Sequence, residues 1–96
     1  MLIEKIGTEE MLLQTAEEAA ELAQACLKMA RKISGKNPTP KTMDEVKDDL
    51  EEEICDVIIC IDELEKGKVF DKDSAQKWAD IKYQRMADRI KNLRTN

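Results

Sequence analysis

Apolar positions along this chain fall into three helical runs separated by two breaks. In the first run Leu12, Ala16, Ala19, Ala23, Leu27 and Ala30 recur at steps of three and four, with Leu22, Cys26 and Ile33 widening the arc. That is the spacing of one face of an α-helix. Gly7-Thr8, followed by Glu9 and Glu10, predicts its start, because acidic residues in a first turn complement the helix dipole. Ser34-Gly35 ends it, after Lys28, Arg31 and Lys32 in the last turns.

Pro38 and Pro40 exclude regular helix from the following loop, and Thr42-Met-Asp-Glu45 supplies a capping box that restarts it near Met43. In this second helix Leu50, Ile54, Val57, Ile61 and Leu64 form the seam of a helix packed lengthwise on another. Cys55, Ile58 and Ile59 make much of the remaining circumference apolar too, more than one neighbouring helix covers, so a second subunit is expected. Gly67 is the expected C-cap, with Val69-Phe70 tucking back onto the core. Asp71 or Asp73 then caps a third helix to about Leu93, which carries Ala75, Trp78, Ala79, Met86, Ile90 and Leu93 inward, while Arg94 to Asn96 fray. Met11, Met29, Met43 and Met86 read as core filler, and Trp78 and Tyr83 as packing residues.

The expected fold is therefore all-α: one helical-bundle domain over residues 1–96, a hairpin of helices 1 and 2 plus a third helix. Dimerisation completes its core, making it four-helix-bundle-like. Composition agrees, with 39% charged and 3% aromatic residues, three glycines and two prolines. A net charge of −5 excludes a general nucleic-acid coat. Cys26, Cys55 and Cys60 all lie in apolar patterns, and their odd number favours small core thiols in a reducing compartment over a disulfide framework. No targeting signal is read at Met1-Leu-Ile-Glu-Lys5, and no apolar run approaches the roughly 18 residues of a membrane span. A soluble, cytoplasmic protein is expected, with neither membrane nor nucleic acid as partner.

Two acidic strings stand beside the apolar rows: Glu17-Glu18-Ala-Ala-Glu21 and Glu53-Ile-Cys-Asp56. Glu18 and Glu21 lie about 60° apart on one helix, Glu17 about 40° further round, and Glu53 about 40° from the Val57 seam of the other. An antiparallel hairpin brings these flanks together in mid-bundle. Two unit charges 4 Å apart at an effective dielectric of 20 repel by about 4 kcal/mol, so such a cluster needs protons or cations. With no histidine in the chain the donors are hard oxygens, which select Mg²⁺ or Mn²⁺ over zinc. Magnesium commonly binds together with substrate phosphates, and Lys82, Arg85 and Arg89 form one cationic stripe around Trp78 that suits a polyphosphate. Salt bridges to the acidic excess would use the same stripe, and a solvated acidic face is the ordinary reading of the carboxylates.

The two strings, within EEAAELAQA and EEEICDVII, match an EExxE, spacer, ExxD signature, and over roughly Thr8 to Leu64 the chain resembles the MazG-like all-α nucleoside triphosphate pyrophosphohydrolases. The resemblance implies Mg²⁺ held by Glu18, Glu21, Glu53 and Asp56, with Glu17 orienting or activating the attacking water. It implies cleavage of an NTP or dNTP to the monophosphate and pyrophosphate by a homodimer or a tetramer made from dimers. Glu17 and Glu53 are the expected catalytic residues, and Lys82, Arg85 and Arg89, joined by Lys36 or Lys41, the expected phosphate contacts. On the later helix, family members often show Lys, then Asn, then Arg; Lys82 and Arg89 fit, and Met86 stands where Asn is expected. Phosphoribosyl-ATP pyrophosphohydrolases are the nearest enzymatic alternative, although their second motif usually continues into a histidine. The non-enzymatic alternative is a helical interaction module.

Overall fold

The computed structural model describes residues 1–36 and 40–95, with the side chain of residue 95 excepted. Pro38, one of the two prolines expected to break the chain, and Asn96 lie outside the described residues. Among those described, the chain forms four helices and no strand: α1 (Leu2–Ile6), α2 (Thr8–Ser34), α3 (Met43–Lys66) and α4 (Lys72–Thr95). The helices expected from sequence are α2, α3 and α4; α1 is additional. None is long and apolar enough to cross a membrane.

The punctuation of the chain is largely as its residues dictate. Gly7 joins α1 to α2 at φ 89°, a conformation that favours glycine, and serves as N-cap without a side-chain bond. Gly35 takes the left-handed conformation (φ 74°) and its N–H donates to the Arg31 carbonyl at 2.9 Å. The Thr42 capping box is complete: the Glu45 N–H donates to Thr42 Oγ1 at 3.2 Å, and the Thr42 N–H to Glu45 Oε1 at 3.0 Å. Of the two aspartates expected to cap α4, Asp71 does so, accepting from the Asp73 N–H at 3.3 Å and the Ser74 hydroxyl at 3.1 Å, while Asp73 lies in the first turn.

α2 and α3 pack as an antiparallel hairpin, with Met11 against Cys60 and Leu64 at one end and Ala25 facing a cavity shared with Val46 at the other. The inward row of α2 is Met11, Thr15, Glu18, Leu22, Ala25 and Met29, about a quarter-turn from the Leu12 to Ala30 row expected there. Leu12, Ala16, Ala19, Ala23, Leu27 and Ala30 are exposed, as are Cys26 and Ile33. On α3 the seam residues Leu50, Val57 and Leu64 face inward, but Ile54 and Ile61 do not, and Val46, Glu53, Asp56, Cys60 and Glu63 complete the row. Of the three cysteines only Cys60 is a core thiol. Met11 is fully buried, whereas Met43 and Met86 are exposed and fill no core within the chain.

α1 closes the open end of the hairpin. Its Ile3 joins Met11, Cys60 and Leu64 in the main apolar cluster, with Phe70 packed against it as expected of the segment after α3. The Ile3 N–H donates to Glu63 Oε1 at 2.8 Å, so a buried carboxylate satisfies one N–H of the first turn of α1. The end of α3 is shaped by the same contact. Val69 and Lys68 N–H groups donate to the Leu64 and Glu65 carbonyls, both at 2.9 Å, in a Schellman pattern whose left-handed residue is Lys68 (φ 59°). Gly67 itself has an ordinary φ of −79°, so its lack of a side chain serves space: a Cβ there would stand 2.5 Å from Ile3 Cδ1.

α4 does not pack against the hairpin as the other helices do. Trp78, Met86, Ile90 and Leu93 are each half or more exposed, and in the row expected to face inward only Ala79 is half-buried. The molecule is consequently open, with extents of 45 × 40 × 17 Å and a radius of gyration of 17.2 Å, against about 12.5 Å for a compact chain of this length. Its accessible surface of 7687 Å² likewise exceeds the roughly 5,600 Å² of a compact chain of its mass.

Gly67→Ala is expected to destabilise the protein by about 1–3 kcal/mol through overpacking against Ile3. Ile3→Val, which deletes the Cδ1 atom, should relieve much of that loss in the double variant. A denaturant-unfolding cycle that came out additive would show that the Ile3 contact does not set the requirement for glycine.

Candidate metal centre

The inward rows of α2 and α3 are not apolar throughout. Midway between the Met11/Cys60/Leu64 cluster and the Ala25/Val46 end, Glu18 from α2 meets Glu53 and Asp56 from α3. All three are half-buried, and each contributes a carboxylate oxygen such that the three atoms lie within 4.8 Å of one another. Heptad spacing is the cause: Glu18 lies between Met11 and Ala25 on one row, and Glu53 and Asp56 lie between Val46 and Cys60 on the other, so pairing the rows pairs the acids. Helical bookkeeping places these acids at the flanks of the seam; the quarter-turn rotation of α2 brings them into the seam itself.

The ion pairs Lys41 Nζ to Asp49 Oδ2 at 2.6 Å and Lys66 Nζ to Asp62 Oδ2 at 2.9 Å use other carboxylates than these three. Glu18 Oε1 accepts from Gln14 Nε2 at 2.8 Å, but Glu18 Oε2 and Glu53 Oε2 are buried atoms without a hydrogen-bond partner. Such oxygens are costly unless something positive or protic meets them. Burial pushes the proton affinity of the Glu18 carboxyl up; the Gln14 bond opposes this, and the negative charges of Glu21 and Asp56 add to it. Glu53 is raised likewise, first by burial and then by Glu21, Asp56 and Glu18.

The structure thus brings together three of the four expected metal ligands. The fourth, Glu21, is an exposed residue one turn beyond Glu18, close enough to act on both Glu18 and Glu53 and lining the adjoining cavity. Glu17 is exposed and outside the three-residue group. Lys82, Arg85 and Arg89 do form one stripe, lining a surface cavity of about 290 Å³ with Met86, but on α4, which does not pack on the hairpin. Lys36 is exposed; Lys41 lines the cavity beside Glu21 and Glu53.

Two neighbours of the acids escape the sequence patterns. Gln14 is separated from Glu18 by one helical turn, a spacing that permits their bond without announcing it. Cys60 lies just below the acids, and burial holds its thiol protonated, with the Thr15 hydroxyl opposing the shift and Glu18 and Asp56 adding to it. Comparison with protein-family models, with curated proteins and with solved structures finds no match.

Glu18 and Glu53 both hold protons more tightly when folded than at their ordinary value of 4.5. Below that value both states are protonated and the pair costs nothing; as pH rises, the unfolded state ionises first and stability falls. Glu45 runs the other way, since its bonds to Thr42 lower its pKa and its contribution is lost as pH falls. In chelator, therefore, Glu53→Gln should melt at a higher temperature than wild type at about pH 7, with the gap closing towards about pH 4. A gap of the same size at both values would assign the effect to packing instead.

Proposed function

We propose that this chain is a Mg²⁺-dependent nucleoside triphosphate pyrophosphohydrolase of the MazG-like all-α kind, which cleaves an NTP or dNTP to the monophosphate and pyrophosphate. The observation that carries this reading is the convergence of Glu18, Glu53 and Asp56 in mid-hairpin, with buried carboxylate oxygens lacking any donor. The donor set fits the metal: all hard oxygens, with Glu21 beside them and the nearby thiol of Cys60 held protonated. Glu18, Glu53 and Asp56, joined by Glu21, would hold Mg²⁺ (or Mn²⁺). Bound there, the ion would neutralise polyphosphate charge and acidify a water.

The chain's own residues supply the rest. Glu17, on the helix surface next to Glu18, would orient or activate the attacking water, and Glu53 would act on it by holding the ion. Water adds across the α–β anhydride, its proton passing to carboxylate as the P–O bond breaks and pyrophosphate departs. Lys82, Arg85 and Arg89 would contact the departing phosphates from α4 of a second copy. A homodimer or tetramer is favoured by the exposed apolar rows of α2, α3 and α4 and by roughly 2,000 Å² of surface beyond that of a compact chain, more than the roughly 800 Å² that each partner gives to a standard interface.

The same exposed rows favour a helical interaction module as the second reading, and magnesium separates the two. A metal centre should raise the melting temperature of wild type on addition of Mg²⁺, whereas ion-paired scaffold acids should hardly respond. Glu53→Gln is expected to remain folded, lose that response and lose pyrophosphate release on a panel of NTPs and dNTPs by at least about a hundredfold. Near wild-type Mg²⁺-dependent turnover in this variant would remove Glu53 from the site.

A further inference from the structure

The hairpin of α2 and α3 has two broad sides, and their chemistry is opposite. At about 100° per residue from Glu18, Leu22, Ile33, Cys26 and Ala19 of α2 lie at about +40°, +60°, +80° and +100°, while Glu21 and Glu17 lie at about −60° and −100°. On α3, measured from Glu53, Val57, Leu50, Ile61 and Ile54 lie at about +40°, +60°, +80° and +100°, and Asp49, Asp56 and Glu52 at about −40°, −60° and −100°. Because the helices are antiparallel, equal signs fall on one side, as the cavity that Glu21 shares with Asp49 and Glu52 shows. The other side is apolar, with no charged residue of either helix between about +40° and +100°. Nothing in the chain covers it: Ile54 is 40%, Ile61 45% and Ile33 71% exposed. We propose that two copies of the chain pair back to back through this apolar side, making one four-helix core with both sets of carboxylates turned away from it. This rests on the assembly favoured above and selects its face; it does not depend on the reaction.

Shape and charge both select a second copy as the occupant. The chain is a slab 17 Å deep beside 45 and 40 Å, where a compact chain of its length would be about 32 Å across, so a second layer is needed to enclose a core. An uncharged face meets its own copy without setting like charges together, which the acidic side cannot do. The charges at its rim are self-complementary. Lys47 and Glu65 both lie at about +120° from Glu53, nine residues to either side of position 56. A two-fold axis crossing α3 there, close to the middle of the Leu50 to Ile61 row, sets Lys47 against Glu65 of the partner subunit and Glu65 against the partner's Lys47. Within the chain Lys47 has a long, exposed contact with Glu51 at 4.0 Å, which a rim pair can replace at little cost. α4, with 24 residues and a length of about 36 Å, exceeds the roughly 20 Å depth of two helix layers, so it is long enough to bring Lys82, Arg85 and Arg89 of the partner subunit to the outer side.

The test is sedimentation equilibrium of the full chain, joined to thiol alkylation read by mass spectrometry. Wild type should dimerise as its concentration rises. As it does, Cys26 on the apolar side should alkylate at least about tenfold more slowly, while Cys55, exposed at about −160° from Glu53, keeps its rate. Ala19→Glu, at an exposed helical position, should keep the helicity of wild type by circular dichroism and stay monomeric where wild type is dimeric, because pairing would bury its charge. Lys47→Glu and Glu65→Lys should each weaken dimerisation about tenfold, and the double swap, which restores both rim pairs, should recover most of the loss. Single variants that associate as wild type does, a double swap no tighter than either single, or a dimer whose Cys26 reacts as fast as the monomer's, overturns this face. A chain that stays monomeric at every concentration overturns the assembly as well. Mg²⁺-dependent pyrophosphate release is measured separately, so the hydrolase reading stands or falls on its own.

Discussion

Everything in this fold is arranged around carboxylates that sit where a two-helix seam would ordinarily be apolar. Glu18, Glu53 and Asp56 interrupt the interface of α2 and α3, and the apolar packing is divided to either side of them. At one end Ile3, Met11, Cys60 and Leu64 form the main cluster; at the other Ala25 and Val46 are buried. Desolvating like charges in mid-hairpin opposes folding, so the two flanking clusters must hold the helices together across a centre that does not help them.

The contrast between two sets of inward carboxylates, on α2 and α3, separates structure from chemistry. Glu63 is more buried than Glu53, yet its Oε1 receives the Ile3 N–H and its Oε2 lies 4.0 Å from Lys66 Nζ. It is a satisfied group whose work is to anchor α1, and Gly67 gives Ile3 the room to sit there. Glu18 and Glu53 each retain a buried oxygen with no donor, and burial raises the proton affinity of both. Orphaned acceptors in a converging set are the physical content of the metal-centre proposal.

The openness of the chain follows from the same economy of core. A hairpin whose middle is polar buries little apolar surface, and α4 adds no substantial packing to it, so large apolar side chains such as Ile58, Trp78 and Leu93 remain exposed. Surface on this scale, on three helices at once, is what motivates the proposed assembly of two or more copies.

The residues by themselves determined the all-α class, the limits of the three long helices and the two acidic strings. Capping boxes, glycines and 3.6-residue periodicity are local, and local chemistry decides them. They could not decide which of two apolar rows on α2 faces its own chain. Leu12 to Ala30 and Met11 to Met29 both have helical spacing, and only the pairing with α3 selects the second, carrying Glu18 into the seam. Nor could periodicity reveal α1, five residues long and held by Glu63 sixty positions away, or the failure of α4 to fold back. Those depend on contacts between distant segments, which have no signature in the spacing of any one helix.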